Sequence, residues 1–179
     1  MTKIALALAC LIGTTPLVHA QGTPSDPWSP VRFLAGEWQG ATTGEQGTGT
    51  VSLRFRFILS GQYLQERSMA SFPPQPLHLD GAVFSHASFL VYDGSRKVLL
   101  FRTFNQEPLN GTFALSAAQS SPTRLVFESE QLDTAPATWK VRKTLEVTSP
   151  SEFTETLEVA EGGKPFAVRS RIQFKRRQP

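Results

Sequence analysis

The run Val51-Ser52-Leu53-Arg54-Phe55-Arg56-Phe57 is apolar at every odd position and polar at every even one. Successive side chains of a strand point to opposite faces, so this stretch folds as a strand with one face in a core and the other in water. A helix would scatter the same apolar residues around its axis. Related runs follow, separated by turn residues at Ser60-Gly61, Asp93-Gly94-Ser95, Glu107-Pro108, Ser120-Ser121-Pro122, Ala135-Pro136, Ser149-Pro150 and Gly162-Gly163. Pro73, Pro74 and Pro76 forbid a central strand and mark a loop. The Asp-Gly pair predicts a hairpin. The spacing predicts ten strands near 36–43, 48–58, 63–72, 82–92, 97–105, 110–117, 123–131, 137–147, 152–160 and 165–175. Ser29-Pro30 before Val31, Phe33 and Leu34 predicts one short helix ahead of them.

Short connections make neighbours in sequence neighbours in the sheet. Ten meandering strands leave long exposed edges unless the sheet closes. The expected fold is therefore all-β, an antiparallel up-and-down barrel with one short N-terminal helix, with a β-sandwich as the alternative. Barrels of about eight or more strands can leave a cavity for a small molecule.

Met1 to Ala20 combines Lys3, an apolar run from Ile4 to Ile12 and a small-residue exit at Val18-His19-Ala20, the pattern of a secretory signal peptide. Its removal from the 179-residue chain would leave 159 residues, enough for one domain with an adequate core. The expected organisation is a signal over 1–20, a Pro/Gly/Ser-rich leader over 21–30 and a single barrel domain over 31–176. The expected location is periplasmic or secreted, with lipidation at Cys10 as the alternative. Cys10 is the one cysteine, so the mature chain forms no internal disulfide and relies on its core. No other stretch reaches the roughly 18 apolar residues of a membrane helix. The 18 Lys+Arg and 15 Asp+Glu nearly balance, and a basic tail of Lys175-Arg176-Arg177 does not make a nucleic-acid surface.

Phe33-Leu34-Ala35-Gly36-Glu37-Trp38-Gln39-Gly40 runs a short helix into a Gly-x-Trp-x-Gly strand opening. This resembles the start of calycin-type, lipocalin-like barrels, in particular the nitrobindin-like haem-binding barrels and related exported bacterial barrels of unknown function. The similarity extends from Trp28 to Arg176 through Gly61-Gln62-Tyr63-Leu64, the Asp93-Gly94 hairpin, Phe104-Asn105-Gln106-Glu107 and Phe174-Lys175-Arg176. It implies structural roles for Gly36, Trp38 and Gly40, and a closing-strand arginine stacked over Trp38. It also implies a haem whose axial histidine lies on the last strand, three residues before an aromatic followed by basic residues. That position holds Arg171. A protonated guanidinium has no lone pair for iron, so haem would need His86 as its ligand, and nitrogen-oxide or peroxynitrite isomerase chemistry would depend on it.

Arg169, Arg171 and Gln173 alternate with Ile172 and Phe174. If these arginines faced inward, as in some fatty-acid-binding barrels, they would take a carboxylate in bidentate geometry; otherwise they are solvated. His86, in Phe84-Ser85-His86-Ala87-Ser88-Phe89, is either a lumen contact or an ordinary hydrogen-bonded histidine. Glu155 alternates in phase with Phe153, Leu157 and Val159, and Lys143 with Val141, Leu145 and Val147, so two charges are expected indoors. A buried charge needs a partner, and these lie on consecutive runs, where they can pair with each other or sit at the barrel mouth in water. Metal-ligand clusters, a Gly-x-Ser-x-Gly elbow and a phosphate loop are absent from the sequence.

The expectation is a non-catalytic barrel that binds a small apolar or amphipathic molecule, with Arg171, Arg169 and His86 as ligand contacts. The alternatives are a haem enzyme and a partner-binding domain with a filled barrel. The oligomeric state is open.

Overall fold

The computed structural model describes residues 26–106 and 109–178. The proposed signal, the first half of the leader and the Glu107-Pro108 turn lie outside them. Ten strands follow a three-residue 3-10 turn at Arg32–Leu34: β1 Gly36–Gly44, β2 Gly49–Ile58, β3 Tyr63–Phe72, β4 Ala82–Asp93, β5 Val98–Asn105, β6 Gly111–Leu115, β7 Arg124–Leu132, β8 Lys140–Ser149, β9 Glu152–Ala160 and β10 Ala167–Arg176. Each strand pairs antiparallel with the next, and β1 pairs with β10, so the sheet closes into a barrel. Closure removes the two edges that a ten-stranded meander would expose. The sandwich alternative is excluded by the β1–β10 ladder. The anticipated helix is a single 3-10 turn, because Ala35 ends it and Gly36, at φ +134°, starts the first strand.

Alternation decides which residues enter the barrel. In β2, Val51, Leu53 and Phe55 are buried while Ser52, Arg54 and Arg56 are exposed. The chain runs out and back, so one end of the barrel holds the β2–β3, β4–β5, β6–β7 and β8–β9 connections and the other end holds the rest. The first end is closed. Trp38 is fully buried there, donates from Nε1 to Leu34 O at 2.7 Å, and meets the Phe153 ring edge-on at 4.8 Å. Phe153 in turn stacks on Phe174 at 4.9 Å. Close packing of such rings leaves no space for a ligand in this half.

Arg176 covers the closed end. Its guanidinium lies 4.2 Å from the Trp38 ring centre and donates to Ala35 O at 2.8 Å and to Phe33 O. The arginine stacked on Trp38 is therefore Arg176, not Arg169 or Arg171, because Trp38 is directly opposite Arg176 in the β1–β10 register. Both motif glycines make this possible. A Cβ on Gly36 would stand 2.4 Å from the Arg176 guanidinium, and one on Gly40 would stand 2.8 to 2.9 Å from Ile172 and Phe174. The Gly-x-Trp-x-Gly pattern is thus a packing device at the plugged end.

Candidate functional site

At the other end the lumen opens. Gly44, Gln46 and Gly47 at the β1–β2 turn, with Phe72, Phe84, Gln106 and Leu109 at or beside strand ends, surround a cavity of about 160 Å³. Its walls include Val51, Ala70, Phe72, Phe84, Phe113 and Ile172, and its polar lining includes His86, Asn105, Lys143 and Glu155. The mouth is fastened by Gln75, whose side chain accepts from Thr48 N at 3.1 Å and donates to Thr48 O at 3.2 Å. Gly47 makes room for it: its φ is +89°, and a Cβ there would stand 2.2 Å from Gln75 Oε1. A larger groove of about 770 Å³ crosses the closed end beside Phe33, Leu125 and Val147, but it has no titratable side chain in its lining. Apolar space with a few convergent polar groups marks a binding site better than volume alone, which favours the lumen.

Four ionisable side chains gather in and beneath this cavity. Lys143 on β8 and Glu155 on β9 are diagonal neighbours on the inner face, since Lys143 stands opposite Leu157 and Glu155 opposite Leu145. Their Nζ–Oε2 distance is 3.2 Å, with 9% and 12% of the side chains exposed. The in-phase positions thus carry both charges indoors, where they pair. Lys143 Nζ also lies 4.7 Å from the centre of the Phe101 ring. Glu66 on β3 and His86 on β4 repeat the diagonal, Glu66 opposite Ser88 and His86 opposite Ser68, with His86 Nε2 3.1 Å from Glu66 Oε1.

Glu66 is 1% exposed, and its remaining oxygen, Oε2, has no hydrogen-bond partner, nor does Ser88 Oγ beside it. Burial pushes the Glu66 carboxyl up most strongly, yet His86 and then Lys143 pull it down further, leaving it at about 2 against an ordinary 4.5. Ser88 adds a smaller lowering without forming a hydrogen bond of good geometry. Lys143 is likewise opposed by burial but raised on balance by Glu155 and Glu66. Both groups are held charged at neutral pH, as a buried ion pair requires.

His86 is the one anticipated ligand contact that reaches the cavity. Arg171 is exposed on the outer surface, because Ser170, Ile172 and Phe174 occupy the inward positions of β10. Arg169 falls at a register shift between Val168 and Ser170, and its guanidinium meets Glu45 at 3.2 Å. The bulge changes the phase of the strand, which is why Val168 is half exposed although Ile172 lines the lumen. Glu66 was missed in the sequence, although it alternates in phase with Leu64, Ser68, Ala70 and Phe72.

A haem does not fit these residues. The Arg171 position points outward and His78 packs against Phe72 and Phe84 at 5.4 and 5.7 Å, which leaves His86 as the one histidine at the cavity among the described residues. Drug-sized ligands take roughly 300–1,000 Å³, and a tetrapyrrole could not enter about 160 Å³. Among the described residues, no group of three or more His, Cys, Asp or Glu could hold a metal ion.

Comparison with protein-family models finds no match. Comparison with curated proteins finds none either. Among solved structures, the chain is similar to Rv2717c from M. tuberculosis, with TM-score 0.63 at 12% identity over 85% of this chain and 98% of that one. That likeness supports the barrel fold. Two further matches are a redesigned β-barrel, b11L5F_LGL (TM-score 0.42, 16% identity, 82% of this chain and 93% of that one), and EF1p2_mFAP2b bound to DFHBI (TM-score 0.44, 14% identity, 86% and 100%).

Proposed function

We propose that this chain is a binding barrel for a small apolar or amphipathic molecule, which it holds without transforming. The observation that carries this reading is the half-open cavity of about 160 Å³ above a buried polar cluster. An apolar cavity of about 150 Å³ is large enough to hold benzene. A ligand of that size would gain affinity from Val51, Ala70, Phe113 and Ile172 and orientation from the polar floor. The barrel is filled only in its lower half, where Trp38, Phe153 and Phe174 pack, so a wholly filled partner-binding domain is the weaker reading. Export through Met1–Ala20 to the periplasm or medium belongs to the same proposal.

The test is a titration of the barrel with toluene followed by amide NMR. Saturable shifts are expected at Ser68, Ala70 and Ile172, and their loss in Ala70→Trp, which fills the cavity. Shifts that do not saturate, or that survive the filling substitution, would refute the reading.

A further inference from the structure

The cavity reading can be taken one step further, to the chemical class of the molecule bound; the inference rests on that reading. An ionised carboxylate only accepts hydrogen bonds, and the field of the Lys143 ammonium together with the hydrogen bond from His86 favours that form of Glu66 whether or not the imidazole is charged. The nitrogen of His86 that meets it at 3.1 Å, Nε2, therefore carries a proton. The bond at one ring nitrogen fixes the state of the other. In the neutral ring Nδ1 is left as a lone-pair acceptor, and among the described residues it has no partner. His86 itself lines the cavity.

Charge restricts the ligand further. An anionic head would meet the Glu155 carboxylate in the lining and Glu66 behind His86, while a cationic head would meet the Lys143 ammonium. Either would also have to shed its water beside the phenylalanines, which is costly without a dedicated partner. Lys143 and Glu155 already satisfy each other. The two arginines suited to a carboxylate lie elsewhere, Arg169 paired with Glu45 and Arg171 in solvent. We propose that the lumen selects small uncharged molecules carrying one hydrogen-bond donor, phenols being the simplest, and that Nδ1 of His86 receives the donor. Glu66 acts as a positioning residue that fixes the tautomer.

Four probes of matched shape separate the possibilities by calorimetric titration at pH 8: toluene, 4-methylphenol, 4-methylbenzoate and 4-methylbenzylammonium. The expected result is 4-methylphenol bound roughly threefold to tenfold more tightly than toluene, the net effect of one hydrogen bond, and both ions bound more weakly than toluene. In His86→Phe the ratio of phenol to toluene affinity should fall to about one, and the amide NMR spectrum of the variant reports whether the barrel is intact. Imidazole nitrogen NMR of the unsubstituted protein should show His86 protonated at Nε2 and bare at Nδ1, and Glu66→Gln, which no longer forces that tautomer, should reduce the phenol preference. A phenol no better than toluene, a preference that survives His86→Phe, a proton on Nδ1, or an ion as the tightest probe would each overturn the assignment. Binding of none of the four would overturn the cavity reading itself.

Discussion

Lys143→Met tests the buried charge cluster most sharply. Surface pairs contribute about 0–1 kcal/mol, but Lys143 and Glu155 are only 9% and 12% exposed, so the buried regime applies. Removing one partner of a buried pair costs about 3–5 kcal/mol because the other charge is left uncompensated. Here Lys143 serves two carboxylates, Glu155 directly and Glu66 through the field. The half-open lumen lets water reach Glu155, which argues for the lower part of that range, about 3–4 kcal/mol. For a domain of this size that corresponds to a fall of about 6–16 °C in Tm. Glu155→Gln should cost less, because Lys143 keeps Glu66 as a counter-charge. The double variant should be more stable than the sum of the single effects predicts, by more than about 1 kcal/mol. Urea denaturation of the four proteins at pH 7 measures all three statements. Additive effects, or a Glu155→Gln variant less stable than Lys143→Met, would refute the shared role of Lys143.

Glu66 has a folded pKa depressed to about 2 from 4.5, so its contribution is fully present above the unfolded value and is lost as pH falls from about 4.5 toward 2. Lys143 is shifted upward, so its contribution holds below its ordinary 10.5 and is lost as pH rises through the still higher folded value. Urea midpoints measured across both limbs should show the acid limb flattened in Glu66→Gln, and an unchanged acid limb would contradict the assignment. Arg176→Met removes the stack on Trp38 and the donors to Phe33 O and Ala35 O, and should cost about 2–3 kcal/mol in urea denaturation without altering toluene affinity. Arg171→Ala should leave stability within about 0.5 kcal/mol and leave every probe affinity unchanged, since the side chain is outside the barrel; weakened binding would place it in the site.

Strand positions were legible because alternation and turn chemistry are local. The Val51–Phe57 run and the Asp93-Gly94 hairpin coincide with β2 and the β4–β5 turn. So did the inward phase of Glu155 and Lys143, which follows from counting by two from Phe153 and Val141. In β10, counting by two from Phe174 puts Ile172 and Ser170 inward and Arg171 outward, but it fails for Val168 and Arg169, because nothing in Val168-Arg169-Ser170 announces the bulge. The residue that stacks on Trp38 depends on β1–β10 register, which joins positions more than a hundred residues apart. Local pattern does not fix such long-range pairing.

Glu66 shows a different limit, because its phase was readable and its meaning was not. A carboxylate between Leu64 and Ser68 reads as a break in an apolar face unless a partner can be named, and that partner, His86, lies on a strand whose own phase was undecided in Phe84-Ser85-His86-Ala87-Ser88-Phe89. The β3–β4 ladder resolves both at once: Leu64 opposite Leu90 puts both residues in the core and carries Glu66, Ser68, His86 and Ser88 onto the same inner face. Two residues that look anomalous alone pair across one diagonal through Glu66 Oε1 and His86 Nε2. The open half of the barrel follows from the same pairing. Where β1, β9 and β10 send Trp38, Phe153 and Phe174 inward the lumen fills, and where β3, β4, β8 and β9 send Glu66, His86, Lys143 and Glu155 it cannot close without burying charge away from its counter-charge.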